Sequence, residues 1–278
     1  MGRRPRIEYY GAIYHIIQRG KDREAIFADK GDKIYLLEIV SESKEIYDFK
    51  LFAYVIMDNH YHFLIQTLNI PISKIMHRIN TNYAKYYNKK MNRTGPVFED
   101  RYKGILVQDE SYLLTLVRYI HNNPVKAKIC RNMEEYPWSS DIFYRMNVEK
   151  IVDIGSLLDS LSPNRIKAIE SYKLLMEEED KDYALLEDKY EKSPIIGSEA
   201  FIRSLEEPKE KPISLDEILR GVCPDELEFN LIKAGSRKRY LTKYKKEYIL
   251  KSKRLGYTYE EIGDNIGLTA RAIKNIIK

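Results

Sequence analysis

Two apolar runs separated by only two turn-forming residues constrain the fold of this sequence most. Residues 50–57 and 60–67 are rich in β-branched and aromatic side chains, and an Asp-Asn pair lies between them. This arrangement is typical of a β-hairpin. Apolar residues at helical spacing lie on both sides of it, over 32–46 and 71–90. We therefore expect the hairpin to belong to a sheet that packs against helices.

The remaining pattern completes the fold class. Two further strands over 12–18 and 101–107 and a third helix over 109–122 give the order βα, ββ, α, β, α. This order predicts an α+β fold in which helices cover a ferredoxin-like, four-stranded antiparallel sheet. The second half of the chain predicts an all-α region, with a charged helical segment over 163–192 and short helices over 195–205 and 215–219.

Charge divides the chain into three parts. Residues 1–150 hold 24 Lys and Arg against 18 Asp and Glu, residues 151–230 hold 10 against 20, and residues 231–278 hold 13 against 4. Two basic ends are expected where a protein contacts a polyanion at two surfaces, although solvated helix faces produce the same pattern. No run approaches the roughly 20 apolar residues that cross a bilayer. Two distant cysteines fit a reducing compartment, so we expect a cytoplasmic protein without a membrane partner.

The segment His60-Tyr61-His62 is the first candidate site. Residues i and i+2 of a strand point to the same face, so both imidazoles lie on one side and Tyr61 on the other. Two imidazoles at this spacing are able to bind one divalent cation. A histidine held by a core hydrogen bond is the alternative. Metallohydrolases of the His-x-His-x-Asp-His kind are excluded, because apolar residues follow His62.

The segment 118–126, Arg-Tyr-Ile-His-Asn-Asn-Pro-Val-Lys, is the second candidate site. On a helix Tyr119 and Asn123 share one face, whereas His121 points elsewhere. A phenolic oxygen attacks a phosphodiester when its proton is removed and a cation polarises the phosphate. An amide oxygen one turn away is a suitable ligand for a hard cation. The alternative is a capped helix whose tyrosine packs on the sheet. His15 on the first strand is either a neighbour of the metal site or an ordinary strand residue, and the second interpretation is preferred.

Residues 256–278 carry a third motif. They combine a capping box at 258–261, a glycine at a turn and a capping threonine before the last helix. The pattern predicts a helix-turn-helix whose second helix offers Arg271, Lys274 and Asn275 to the major groove of DNA. A helical hairpin without a DNA-binding function is the alternative interpretation.

Taken together, the histidine pair and the segment around Tyr119 resemble the HUH-type single-tyrosine transposases. The sequence is similar above all to the branch of REP-associated tyrosine transposases, which have an insertion-sequence-200-like transposase domain. The resemblance covers about residues 3–145 in the correct order. Further segments that carry it are Arg3-Arg4-Pro5-Arg6, residues 14–20, residues 95–103 and Trp138-Ser139-Ser140.

The resemblance implies DNA transposition, in which single-stranded DNA is cleaved and rejoined through a 5′-phosphotyrosine intermediate with Mg²⁺ or Mn²⁺. It implies that Tyr119 is the nucleophile and that His60 and His62 are metal ligands. Asn123 stands where the wider family places a glutamine that helps to bind the metal, and here the sequence departs from the family pattern. The competing tyrosines lack a following Asn-Pro-Val segment; they are Tyr83, Tyr86, Tyr87 and Tyr102.

Basic residues near these motifs are the candidate DNA contacts, because long cations bind phosphates without distinguishing sequences. Taken singly, each of them also fits an ordinary surface charge. Near the catalytic segments they are Arg3, Arg4, Arg6, Arg19, Lys21, Arg101 and Lys103, and in the C-terminal motif they are Arg271, Lys274 and Asn275. The implied partners are single-stranded DNA and hairpin repeats, with duplex DNA at the C-terminal motif.

We therefore predict an HUH catalytic domain over 1–145, an acidic helical linker region over 146–230 and a helix-turn-helix DNA-binding domain over 231–278, in a cytoplasmic, nucleoid-associated protein. The main alternative is a DNA-binding regulator derived from an inactive transposase, which is disfavoured because both histidines and Tyr119 are present. A relaxase or replication initiator is a weaker alternative. The sequence leaves the oligomeric state and the target DNA open.

Overall fold

The computed structural model describes residues 7–9, 11–178, 193–206 and 213–277. The chain divides into two compact units, Met1–Arg203 and Ser204–Lys278. Arg3, Arg4 and Arg6 lie outside the described residues, as does the end of the helical segment predicted over 163–192. The predicted functional boundaries after residues 145 and 230 stay predictions.

The first unit is built on a five-stranded mixed sheet. Its strands are β1 (Ile13–Arg19), β2 (Lys50–Ile56), β3 (His60–Gln66), β4 (Lys103–Val107) and β5 (Ile195–Ile196). The strand order is β2-β3-β1-β4-β5. The first four strands pair antiparallel, and β5 joins β4 in parallel. The four predicted strands are confirmed, but the prediction of a four-stranded, purely antiparallel sheet is wrong at this edge.

The segment that causes this difference was predicted to be helical from residue 195. Its first two residues instead form β5. Two hydrogen bonds hold this strand in place, from Leu106 N to the Pro194 carbonyl (3.1 Å) and from Gln108 N to the Ile196 carbonyl (2.8 Å). A two-residue strand is too short to show the alternation of a strand. The helix begins only afterwards, at Glu199.

The helices of this unit that the structure describes pack against the sheet and against one another. They are α1 (Lys30–Tyr47), α2 (Ile72–Lys90), α3 (Leu113–His121), α4 (Asn123–Lys126), α5 (Asp141–Arg145), α6 (Gly155–Leu161) and α7 (Arg165–Glu177). Helix α8 (Glu199–Glu206) includes the boundary between the two units. The predicted helix over 109–122 begins as a 3₁₀ turn before α3. In the described part of the chain, no helix has the length and apolar character needed to span a bilayer.

Successive side chains of β3 point to opposite faces of the sheet, so the side chain that packs against α2 and the two histidines lie on different faces. Tyr61 is fully buried on the face that α2 covers, where its hydroxyl donates a hydrogen bond to Asn80 Oδ1 over 2.5 Å. His60 and His62 therefore point to the opposite face. Helix α3 packs against β2 and β3 on this second face, so the histidines lie beneath α3.

The second unit is helical, and its helices surround one apolar core. They are α9 (Leu215–Arg220), α10 (Glu226–Lys233), α11 (Thr242–Arg254), α12 (Tyr259–Asn265) and α13 (Ala270–Ile276), with Phe229, Tyr248, Ile262 and Ile273 among the buried side chains. The predicted capping box of Thr258 and Glu261 is present. Gly267 has φ +65°, a value that glycine adopts without strain. The predicted turn between the last two helices therefore forms, while its DNA-binding role stays a prediction.

Candidate active site

His60 and His62 form the centre of the site. Their ring centroids lie 5.2 Å apart with the ring planes at 73°. His60 Nδ1 lies 2.6 Å from Asn59 Oδ1, and an amide oxygen accepts, so Nδ1 is the donor. Burial, and secondly the charge of Arg19, lower the pKa of His60 to about 4. The ring is therefore neutral near pH 7, as a metal-binding imidazole must be.

His62 is fully buried. Burial, and secondly the neighbouring His15 ring, hold the pKa of His62 well below its usual range. Its Nε2 atom is buried, and no hydrogen-bond partner for it is found among the described residues. A buried imidazole nitrogen of this kind is the atom that a metal ion would engage.

His15 is a third histidine in the same cluster. Strand pairing places Leu64 opposite His15, so His62 is its diagonal neighbour on the same face. His15 Nε2 lies 2.9 Å from His62 Nδ1, and the two rings stack at 5.1 Å with an angle of 20° between their planes. The interpretation of His15 as an ordinary strand residue missed this contact, because the contact depends on the pairing of β1 with β3.

Helix α3 brings Tyr119 to the histidines. The Tyr119 ring lies edge-on to the His15 ring at 5.7 Å and 75°, and to the His62 ring at 6.2 Å and 70°. The tyrosine is only 2% exposed. The fold therefore joins the two sequence segments that were singled out separately as candidate sites.

Asn123 and Lys126 follow Tyr119 at the end of its helix. Asn123 Nδ2 donates to the carbonyls of Tyr119 (2.9 Å) and Ile120 (3.2 Å), which leaves Oδ1 as the acceptor atom of the amide. Lys126 Nζ lies 5.7 Å from the centroid of the Tyr119 ring, and its charge is a minor cause of the lowered pKa of His62. Lys126 was not predicted as a site residue, although its position seven residues after Tyr119 places it about two helical turns away.

The residues present fit a divalent cation in their chemistry but supply only part of a coordination shell. Among the described residues, no three side chains of His, Cys, Asp and Glu converge on one point. The candidate donors are two neutral imidazoles and the Asn123 amide oxygen. Oxygen is the ligand atom that Mg²⁺ and Mn²⁺ prefer, so oxygens of water and phosphate would complete the shell.

Two of the predicted DNA contacts flank the histidine pair. Strand pairing sets Arg19 opposite His60, and it sets Lys103 opposite Ile17, whose other neighbour is His62. Directly paired residues of antiparallel strands share a face, so both cations belong to the histidine face. Lys103 is exposed and Arg19 is partly buried.

The other predicted contacts of the first unit lie in loops. Lys21, in a 3₁₀ turn after β1, lines an open pocket of about 450 Å³ together with Glu24 and Arg93. Arg101 is exposed shortly before β4. In the second unit, Arg271, Lys274 and Asn275 are exposed on α13, where spacings of three and four residues put them on one face.

His121 points away from Tyr119, as predicted, and joins a buried polar network. Its Nε2 lies 2.6 Å from Ser140 Oγ, and its Nδ1 lies 2.9 Å from the Tyr172 hydroxyl. That hydroxyl donates to Asp141 Oδ1 over 2.7 Å. Burial lowers the pKa of His121 to about 4. The network connects the end of α3 to α5 and α7.

Part of the chain is similar to known proteins. Residues 8–123 match the family model described as "Transposase IS200 like". A solved structure of a REP-associated tyrosine transposase bound to a REP hairpin is 16% identical, with 55% of this chain and 93% of that chain covered and a TM-score of 0.45. A crystal structure from Deinococcus radiodurans, named as that of a transposase, is 19% identical, with 44% and 97% covered and a TM-score of 0.31. No curated protein matches the chain.

The identities of the two solved structures are low and their TM-scores lie below 0.5, so the family model is the more informative comparison. It spans the first three strands, β4 and the segment from Tyr119 to Asn123. The part of the chain that carries the histidines and Tyr119 therefore matches the IS200-like transposase family, whose general activity is DNA transposition.

Proposed function

We propose that this protein cleaves and rejoins single-stranded DNA, with Tyr119 as the nucleophile that forms a 5′-phosphotyrosine link. The observation that supports this most is the edge-on position of the Tyr119 ring against His15 and His62, at 5.7 Å and 6.2 Å. Through its contact with His62, the tyrosine lies next to the proposed ligand pair of His60 and His62, so a nucleophilic oxygen and ligands for a cation are close together, as phosphodiester chemistry requires.

In the cleavage step, the phenolic oxygen of Tyr119 attacks the scissile phosphorus and the bond from phosphorus to the 3′ oxygen breaks. The phenol loses its proton, and the departing strand takes one up as its 3′-OH. In rejoining, a 3′-OH attacks the same phosphorus and the bond to Tyr119 breaks, so the number of phosphodiester-type bonds is conserved and no external energy source is needed.

His60, His62 and Asn123 would hold the divalent cation, Mg²⁺ or Mn²⁺. When bound, the ion polarises the scissile phosphate and stabilises the charge that develops on its oxygens. Burial keeps the two imidazoles neutral and so keeps their lone pairs ready for a ligand role. For Asn123 the supporting observation is that its amide nitrogen is already engaged with the carbonyls of α3, so its oxygen is the ligand atom.

The DNA is held by the cations around this face and by the second unit. Arg19 and Lys103 are best placed for the scissile phosphate, and the flanking single strand or hairpin would be bound by Lys21, Arg101, Arg3, Arg4 and Arg6. The last two helices of the second unit would act as a helix-turn-helix on duplex DNA or on a hairpin flank. A second DNA-binding module on the same chain raises the effective concentration of the catalytic one at a composite site.

The test is a cleavage assay with 5′- and 3′-labelled single-stranded DNA from the repeats that flank the gene, with Mn²⁺ or Mg²⁺ or with EDTA. We expect the wild-type protein to cut the DNA only with metal and to retain label from one side of the cut in a denaturant-stable adduct. Tyr119→Phe lacks the attacking oxygen, so neither product nor adduct should form. Tyr86→Phe, which alters a tyrosine of α2, should behave as the wild type.

Three other outcomes of the cleavage assay would contradict parts of this proposal. An adduct that persists in Tyr119→Phe would assign the nucleophile to another tyrosine. Cutting that is equal with EDTA would contradict the metal role of the histidines. Specific binding without any cutting would favour the DNA-binding regulator.

A further inference from the structure

His15 contacts two of the proposed catalytic groups and has no role in the proposed function. It is fully buried, its Nε2 lies 2.9 Å from His62 Nδ1, and its ring meets Tyr119 edge-on at 5.7 Å. A side chain that only filled the core would not need a nitrogen at this position. The contact therefore calls for a chemical explanation.

The hydrogen bond between His15 and His62 contains one proton, which belongs to one of the two rings. Two neutral imidazoles that face each other through one nitrogen each share a single hydrogen in the contact, so one ring donates and the other accepts. If His15 donates, His62 carries its own proton on Nε2 and has no lone pair there. If His62 donates from Nδ1, its Nε2 carries the lone pair.

The proposed metal role of His62 requires the second arrangement. A neutral imidazole carries one proton in total. Its Nε2 lies in the interior with no hydrogen-bond partner among the described residues. An N–H group at this position could not bind a cation, whereas a lone pair gains a partner whenever the cation binds.

We propose that His15 is a positioning residue that accepts the Nδ1 proton of His62 and thereby fixes His62 in the tautomer that presents Nε2 to a divalent cation. Metal-binding histidines are commonly oriented in this way by an acceptor at the second nitrogen, and here the acceptor is another imidazole. The stacking of the two rings at 5.1 Å also limits rotation of His62. This proposal rests on the proposed metal role of His62.

Two substitutions of His15 distinguish the effect of its hydrogen-bond acceptor from the effect of its ring. His15→Phe keeps a planar ring but has no acceptor, and His15→Gln loses the ring but keeps an oxygen that is able to accept the His62 proton. In the metal-free, full-length protein, ¹H–¹⁵N correlation spectra of the imidazoles report the tautomer directly. Mn²⁺ affinity is measured separately by electron paramagnetic resonance, so neither measurement depends on DNA cleavage.

We expect wild-type His62 to be protonated on Nδ1, and His15→Phe to populate both tautomers. Mn²⁺ affinity should fall about 10- to 100-fold in His15→Phe, the range typical for loss of such an orienting partner, and His15→Gln should recover most of it. A wild-type His62 that is protonated on Nε2, or equal Mn²⁺ affinity in His15→Phe and the wild type, would overturn the proposal. If the wild type itself binds no Mn²⁺, the metal role in the proposed function fails, and the inference about His15 fails with it.

Discussion

Burial disfavours the negatively charged phenolate form of Tyr119. Tyr119 is 2% exposed, and a phenolate that forms in such a place loses most of its hydration. The adjacent His62 imidazole is neutral because of burial, so it offers the phenolate no charge. In the proposed mechanism, positive charge would therefore come from the divalent cation and from Lys126, whose Nζ lies 5.7 Å from the ring centroid.

We predict that Lys126→Met slows cleavage about two- to five-fold at saturating DNA. Loss of the ammonium removes a charge that stabilises the phenolate as it forms, and an exposed cation–π contact contributes about 0.5–1 kcal/mol. The measurement is the single-turnover rate of adduct formation at fixed metal concentration. Because the role concerns the tyrosine and not the metal ligands, Mn²⁺ affinity should change little.

The control for this prediction is Lys128→Met, which removes an exposed charge two residues further along the chain. If both variants lose the same activity, the effect is general attraction of DNA. A rate for Lys126→Met equal to that of the wild type would show that the ammonium has no part in the step.

At the level of secondary-structure elements, the position of α3 determines whether Tyr119 contacts the histidines. Its end is capped by the Asn123 amide and held by the network of His121, Tyr172 and Asp141. Asp141 also accepts a 2.5 Å hydrogen bond from Arg145 Nε. Because the members are buried and satisfied by one another, removal of one leaves a buried polar group without its partner, which typically costs about 1–3 kcal/mol.

This network makes stability depend on pH. Folding lowers the pKa of His121 to about 4, against about 6.5 in an unfolded chain. Between these values the unfolded state binds more protons, so the stabilisation is complete above about pH 6.5 and is lost as the pH falls towards 4. By pH 5 the loss from His121 is about 2 kcal/mol.

We therefore predict that His121→Asn, whatever its stability at pH 7, loses about 2 kcal/mol less than the wild type on going to pH 5. Trp138, the single tryptophan, lies in the first unit, so its fluorescence during urea unfolding reports on this unit. His77→Asn, which removes an exposed imidazole of α2, is the matched control. Equal pH dependence in the two variants would contradict the assignment to His121.

The sequence predicted most of the fold because its strands and main helices carry their own patterns. The hairpin of β2 and β3 follows from two apolar runs and a two-residue connection, and α2 from apolar residues at helical spacing. What it missed lacked such a signal. Residues 195–196 form a strand only because β4 offers them an edge, and α10 was missed because residues 226–233 show little periodicity between acidic side chains.

In the site, local spacing was sufficient for the residues within each motif and insufficient for those between motifs. Alternation placed His60 and His62 on one face, and helical geometry turned His121 away from Tyr119. The contact of His15 with His62 depends on the pairing of β1 with β3, which no single segment encodes. Lys126 belongs to the sequence motif, but its contact with the Tyr119 ring involves two helices, α3 and α4, whose arrangement the motif alone does not predict.

At the scale of the whole molecule, basic charge occurs at both ends of the sequence, and each end belongs to a different compact unit. In the first unit, cations lie on the face of the sheet that carries the proposed metal-ligand histidines. In the second unit they lie on an exposed face of α13. We therefore expect the two units to divide the work, with chemistry in the first and retention on DNA in the second.

The last prediction tests this division through α13. Arg271→Ala combined with Lys274→Ala should weaken binding to hairpin or duplex DNA about ten-fold or more, and it should lower the salt dependence of binding by about one unit of slope for each phosphate that is no longer neutralised. Cleavage of a short single strand at saturating concentration should be unchanged, since Tyr119 and the histidines are intact. Lys251→Ala with Arg254→Ala removes the same two kinds of charge from α11. If that pair weakens binding equally, net charge rather than the α13 face holds the DNA; if the α13 pair changes cleavage but not binding, the second unit takes part in the chemistry.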